Sequence, residues 1–267
     1  MNELGIYGLP EGIFGKGNNG RTAFQSNDHK ETLGILNRAK DEGGLVVITA
    51  APGMGKSYAL KCFSKSLDSQ KYCVFYISLS TVSVTEFYRQ LSDALNLDIK
   101  YGKAAMFMAI KTRIRELYRN HYHPIIIVDE AQDLNASVFR EIKSLLSFEM
   151  DTLNCFLLVL SGESDLNTTL QKGSYESLNQ RIQYHYHFRG LSAKENEEYV
   201  KHKIIQGGGD PSILDESAYT SLVGLSKGNA RITDRIMTKA LMIGAQNKRL
   251  TIDQEVIQAA FDSLKLG

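Results

Sequence analysis

The run Leu45-Val-Val-Ile-Thr-Ala-Ala-Pro-Gly-Met-Gly-Lys-Ser57 constrains the fold of this chain more than any other stretch. Its β-branched, apolar half reads as a strand buried on both faces. A Pro/Gly turn ends that strand, and Gly55-Lys56-Ser57 opens a helical pattern that runs on through Phe63. Such a strand–loop–helix turn aims backbone N–H groups and the positive end of a helix at one point, which suits a phosphate. Ala50, Pro52, Gly53, Met54, Gly55, Lys56, Ser57 and Tyr58 would line the cradle. Lys56 would reach the β/γ-phosphates of ATP, and the Ser57 hydroxyl would ligate Mg²⁺. The pattern G-x-x-x-x-G-K-[ST] puts glycine at position 50, where this chain has Ala50. Gly53 and Gly55 keep the crowded positions clear, so a methyl group at the loop entrance is tolerated.

Pro124-Ile-Ile-Ile-Val-Asp-Glu-Ala-Gln132 supplies the second half of the site. It is a buried-strand pattern that ends in two carboxylates. Ligands sit at the carboxyl ends of parallel strands, so Asp129 is expected beside the phosphate loop, holding Mg²⁺ directly or through water. Glu130 is then placed to polarise a water for attack on the γ-phosphate.

Further strands read at 45–50, 73–79, 155–161 and 184–188, with helical patterns at 27–40, 56–68, 84–96, 103–120 and 136–148. This alternation indicates a parallel sheet covered on both faces. From Ser192 onward the pattern is helical only. Ser192 with Glu195, and Thr251 with Gln254, match the capping box at a helix start. The expected organisation is an irregular, Gly-rich segment over 1–25, an α/β nucleotide-binding domain over 26–190 and a helical lid over 191–267. The lid ends with the chain, so no separate DNA-reading domain is expected.

Composition excludes several classes. No apolar run approaches the roughly 20 residues of a membrane span, and the N-terminus lacks the basic-then-apolar layout of a signal peptide. Cys62, Cys73 and Cys155 are odd in number and lie in apolar segments, as reduced cysteines of a cytoplasmic protein do. The net charge of +1 leaves any nucleic-acid contact to a local patch.

The phosphate loop, Asp129-Glu130 and the later Gly228-Asn-Ala-Arg231, in this order, resemble the AAA+ ATPases. Val128-Asp-Glu-Ala-Gln-Asp-Leu134, Ser161-Gly-Glu-Ser-Asp-Leu166 and Gln180-Arg-Ile182 narrow the resemblance to one subgroup. It contains the ExeA-like general-secretion ATPases and the ATPase subunits of bacterial DNA transposons. The likeness covers roughly residues 26–265 and implies a five-stranded parallel P-loop sheet flanked by helices, followed by an all-helical lid. It also implies further site residues. Ser161, or in competition with it Glu163, would contact the γ-phosphate or the attacking water. Arg181 matches an arginine finger reaching a neighbouring subunit's nucleotide, and Arg231 a lid arginine reading ATP of the same chain. A guanidinium neutralises charge spread over phosphoryl oxygens, so both fit the chemistry; the plain alternative is a surface salt bridge.

Lys100-Tyr-Gly-Lys103 lies in the region that lines the DNA-facing pore of AAA+ proteins encircling duplex. Lys100, Tyr101 and Lys103 could contact phosphates without reading bases, or form an ordinary polar turn. The histidine pairs His121/His123 and His185/His187 lack further ligands nearby and read as structural. The leading functional expectation is therefore an ATPase that oligomerises, as a ring or helical filament, on duplex DNA and recruits or regulates a transposase. The alternatives are an ExeA-like secretion-associated ATPase, an initiator- or loader-type ATPase remodelling a protein partner, and a nucleotide-dependent signalling module with negligible turnover.

Overall fold

The computed structural model describes residues 3–15, 23–78, 83–98, 101–148 and 152–265. Five segments among them form one all-parallel sheet: β1 (Gly44–Thr49), β2 (Tyr72–Ser78), β3 (His123–Asp129), β4 (Leu157–Gly162) and β5 (Ile182–His187). Their order across the sheet is β2-β3-β4-β1-β5. Parallel neighbours need crossovers, and helices supply them. The helices are α1 (Asn27–Glu42), α2 (Lys56–Ser66), α3 (Val84–Ala94), α4 (Lys103–Arg119), α5 (Ala136–Leu146), α6 (Asp165–Leu170) and α7 (Glu176–Asn179). β1 and β4 are buried at every position, as their unbroken apolar sequences require. β2 is an edge strand and only partly buried, which leaves Tyr76 half exposed.

The register sets the site. Ser78 pairs with Asp129, Ile48 with Ser161 and Thr49 with Gly162. The carboxyl ends of β2, β3, β4 and β1 therefore finish level with one another, where the phosphate loop leaves β1.

The chain divides into two compact units. One comprises Glu31–Pro52 and Lys56–Phe188; the other comprises Met1–Lys30, Gly53–Gly55 and Arg189–Gly267. The first holds the sheet and its core, from Leu45 and Val47 through Phe139 to Leu178. The second is helical: α8 (Ala193–Gln206), α9 (Glu216–Ser226), α10 (Ala230–Gln246) and α11 (Gln254–Asp262) enclose Val200, Ile204, Leu222, Ile236, Met237 and Leu241. No helix among the described residues is long and apolar enough to cross a membrane.

Two local expectations need correction. The Ser192–Glu195 capping box forms in full, but α11 is capped by Asp253, whose side chain accepts from the Val256 amide at 3.0 Å. Thr251 is displaced from that role because Ile252 makes a parallel bridge to Leu214, with its N–H donating to Ile213 O at 2.7 Å. The N-terminal segment, expected to be irregular, has a 3-10 turn at Glu3–Tyr7. Tyr7, Leu9, Ile13 and Phe14 are buried in the core of the second unit, and the Tyr7 hydroxyl donates to Arg249 O at 2.8 Å. Its Gly-rich stretch at 16–20 lies outside the described residues.

That unit also buries a charge pair. Lys203 Nζ lies 2.8 and 2.9 Å from the two Asp234 oxygens, and the Tyr199 hydroxyl donates to one of them at 2.9 Å. The ammonium also sits 5.4 Å from the Phe14 ring centroid and 5.0 Å from that of Tyr199. Burial raises the Asp234 carboxyl above its ordinary pKa, against the pull of Lys203. The pair thus adds little net stability, yet breaking one side strands a buried charge. Asp234→Ala is expected to destabilise this unit by about 3 kcal/mol in denaturant unfolding. Lys203→Met with Asp234→Leu should recover most of that loss.

Candidate functional site

Asp129 ends β3 at 2% exposure and gathers four side-chain donors. Lys56 Nζ and Ser161 Oγ reach its Oδ1 at 2.9 and 2.6 Å. Ser57 Oγ and the Tyr76 hydroxyl reach its Oδ2 at 3.1 and 2.8 Å. The Glu130 amide adds a fifth contact at 3.1 Å. Burial acts to raise the Asp129 pKa, but the hydrogen bonds from Ser161, Lys56 and Tyr76 and the Lys56 charge outweigh it, so the carboxyl lies below its ordinary value. Tyr76 is pushed the other way, by burial and by Asp129 itself, and stays a neutral donor.

A lowered carboxyl pKa stabilises the fold above the unfolded-state value, and the benefit fades as pH falls through the folded value. Stability is therefore expected to drop below about pH 4, with Asp129→Asn flattening part of that acid limb in unfolding measured against pH.

Glu130 follows with left-handed backbone angles (φ 56°, ψ 36°), uncommon for a residue with a side chain. Its Oε2 accepts from Gln132 Nε2 at 2.9 Å, and Gln132 Oε1 accepts from the Glu163 amide at 2.9 Å. Of the two candidates at the end of β4, Ser161 is buried with its hydroxyl on Asp129. Glu163 contributes its backbone N–H to Gln132.

The phosphate loop needs its glycines. Gly53 and Gly55 have φ of 85° and 98°, a region that side chains disfavour. A Cβ on Gly53 would fall 2.6 Å from Asn229 Oδ1 and 2.7 Å from Arg231 Cβ. Arg231 lies exposed in the first turn of α10, and its amide donates to Gly53 O at 3.2 Å. Asn229 caps that helix through the Ile232 amide. Met54 lies against Gly190, where an added Cβ would approach its sulfur to 2.8 Å. Ala50 is fully buried, with its amide on Gly162 O at 3.1 Å, so its methyl fits where glycine was expected. Pro52 is exposed. Tyr58 is part-buried on α2, its phenol pushed up to about 12 by burial and neighbouring Cys62.

Arg181 sits between α7 and β5, its amide on Leu178 O at 3.0 Å. Of the suggested DNA-contacting residues, Lys100 lies outside the described residues and Tyr101 is fully exposed. Lys103 is paired with Glu141 at 2.5 Å. The histidines of β5 are engaged in hydrogen bonds: His187 with Thr49 at 2.9 Å, and His185 with Asn167 at 2.9 Å.

Residues 39–170 match the AAA domain family. General secretion pathway protein A of Aeromonas hydrophila is 26% identical over 261 residues, covering 96% of this chain and 48% of that protein. A potential ATP-binding protein of Staphylococcus aureus is 27% identical over 149 residues, covering 55% of this chain and 52% of its own length. The chain thus spans about half the length of these curated relatives. Among solved structures, Cdc6p from Pyrobaculum aerophilum superposes with a TM-score of 0.73 at 14% identity, over 97% of this chain and 72% of that one. Residues 39–170 thus form an AAA domain, in a chain similar to the ExeA-like ATPases. ORC1 of Aeropyrum pernix, in complex with DNA, shares the fold at a TM-score of 0.67 and 13% identity, over 94% and 68% of the two chains. At such identities these structures establish the AAA+ fold.

Sequence reasoning brought Lys56, Ser57, Asp129, Glu130 and Ser161 to the ends of neighbouring strands. It missed two side chains bonded to these carboxylates, Tyr76 on Asp129 and Gln132 on Glu130. Gln132 was visible in the motif around Asp129-Glu130 but had no assigned task. Tyr76 could be found only by pairing β2 with β3, which places it two residue pairs before Ser78 and Asp129.

Proposed function

We propose that this chain binds ATP with Mg²⁺ and hydrolyses it, with 26–190 as the nucleotide-binding part and 191–267 as the lid. The observation that carries the reading is the convergence of Lys56, Ser57 and Ser161 on the Asp129 carboxylate. One ammonium bond goes to Asp129, and lysine has two further donors for β/γ-phosphate oxygens. Ser57 and Asp129 are hard oxygen donors 3.1 Å apart, a set that fits Mg²⁺. When bound, Mg²⁺ would neutralise charge on the β- and γ-phosphate oxygens. Backbone N–H groups of the loop, among Gly53, Met54, Gly55 and Tyr58, would hold the phosphates, and Ala50 and Pro52 would help to enclose them.

The water oxygen bonds to the γ-phosphorus while the bond from that phosphorus to the β–γ bridging oxygen breaks. Glu130 takes the proton of the water, and ADP leaves with the bond's electrons. Ser161 orients the water or the γ-phosphate, with Glu163 as the competing choice. Arg181 from a neighbouring subunit and Arg231 from the same chain neutralise the charge that develops.

ATP between subunits would drive homo-oligomers, ring or filament, on duplex DNA in the cytoplasm, and those assemblies would recruit or regulate a transposase. Supporting this is the shared fold with proteins solved on DNA, ORC1 of Aeropyrum pernix and the Drosophila ORC. The likeness to General secretion pathway protein A over 96% of the chain favours a second reading, a secretion-associated or partner-remodelling ATPase.

Duplex binding in ATP, ADP and a non-hydrolysable analogue separates the two. For the first reading, affinity should require ATP, rise with duplex length and fall with salt at a slope of about −0.9 per phosphate contact. Replacing Lys100 and Lys103 with Ala should weaken all duplexes alike. Lys103 must exchange Glu141 for phosphate, so the effect per subunit is modest. Binding that ignores nucleotide, or no duplex binding at low salt, favours the second reading.

A further inference from the structure

The carboxamide of Gln132 is used at both ends. Its Nε2 donates to Glu130 Oε2 at 2.9 Å, and its Oε1 accepts the Glu163 N–H at 2.9 Å. Only one orientation of the amide satisfies both partners, because a carboxylate needs a donor and an N–H needs an acceptor. Gln132 lies in the 3-10 turn Ala131–Asp133, directly after the left-handed Glu130. The approach of this turn to β4 is close: a Cβ on Gly162 would fall 2.8 Å from Gln132 Oε1 and 3.2 Å from the Gln132 amide nitrogen. One residue earlier, Ser161 Oγ donates to Asp129 at 2.6 Å. The end of β4 thus holds both carboxylates, Asp129 through Ser161 and Glu130 through Gln132.

We propose that Gln132 is a positioning residue for the Glu130 carboxylate, fastening it to the segment Ser161–Glu163 so that a shift of that segment moves Glu130. The inference rests on the hydrolysis reading above and deepens it. An amide suits the task. It orients the carboxylate by one donated bond, whereas a lysine or arginine would neutralise the charge with which Glu130 accepts a proton. Because the segment Ser161–Glu163 also carries the two candidates for contacting the γ-phosphate, phosphate contact and placement of the base become one movement.

The test is steady-state ATP hydrolysis by the full chain over a range of ATP concentrations, with ADP affinity measured separately. Two variants approach the bridge from opposite sides. Gln132→Met keeps the length and removes both bonds, and Gly162→Ala leaves Gln132 in place but displaces its amide. Each is expected to lower kcat about tenfold, with KM and ADP affinity unchanged, since the interaction acts only on the water-activating step. In a Glu130→Gln background neither should lower kcat further, because residues acting through one another are not additive. A kcat within twofold of wild type, a raised kcat, a defect confined to KM, or additive losses in that background would each overturn the proposal. If Glu130→Gln suppresses turnover but the two variants do not, only this inference falls. If the wild-type chain hydrolyses no ATP, the hydrolysis reading falls and takes the inference with it.

Discussion

Lys56→Ala is expected to weaken ATP and ADP binding by at least about a hundredfold, to the point of abolishing it at cellular concentrations. Lys56 is 8% exposed, and its ammonium lies on Asp129 at the end of β3. Hydrogen bonds between charged partners contribute roughly 1.5–3 kcal/mol each, and two such bonds to phosphate oxygens account for that loss. The fold should survive, because Asp129 keeps the Ser57, Tyr76 and Ser161 hydroxyls as donors. Titration calorimetry with nucleotide, alongside thermal unfolding, separates the two effects. Unchanged nucleotide affinity in a folded variant would remove the basis for an ATP site here.

Glu130→Gln should have the opposite profile, with binding retained and turnover lost. A carboxamide keeps the shape of the side chain, and its carbonyl can still accept from Gln132, but it takes up a proton poorly. General-base catalysis is worth roughly 10²–10⁴-fold, so kcat should fall into that range. Under ATP the variant should accumulate whatever assembly the bound nucleotide promotes, visible as a larger species in light scattering. Wild-type turnover in Glu130→Gln would assign the water to another group, with Glu163, just past the end of β4, as the alternative.

The local parts of this protein were legible from its residues. The strand–loop–helix around Lys56, the buried strand ending in Asp129-Glu130 and the helical C-terminal stretch each follow from periodicity and turn chemistry acting over a few residues. Element boundaries shifted by only a residue or two. Where neighbouring chain competed for the same backbone groups, local reasoning failed. Thr251 has the capping pattern, yet the bridge from Ile252 to Leu214 uses that backbone and hands the cap to Asp253.

The strand–loop–helix pattern around Lys56 and the paired carboxylates at 129 and 130 belong to the sequence alone, because each depends on contiguous residues, and the AAA+ resemblance follows from the order of such motifs along the chain. The tertiary structure decided which strands lie side by side, and therefore that Ser161 and Tyr76 meet on Asp129 and that Gln132 joins Glu130 to the end of β4. It likewise placed Tyr7, Leu9, Ile13 and Phe14 in the core of the C-terminal helices, the far end of the chain from where they are encoded. Such pairings depend on burial and register across distant segments. Residues far apart in sequence carry no local periodicity that announces them, and only the packing of the whole sheet and helical core selects one arrangement.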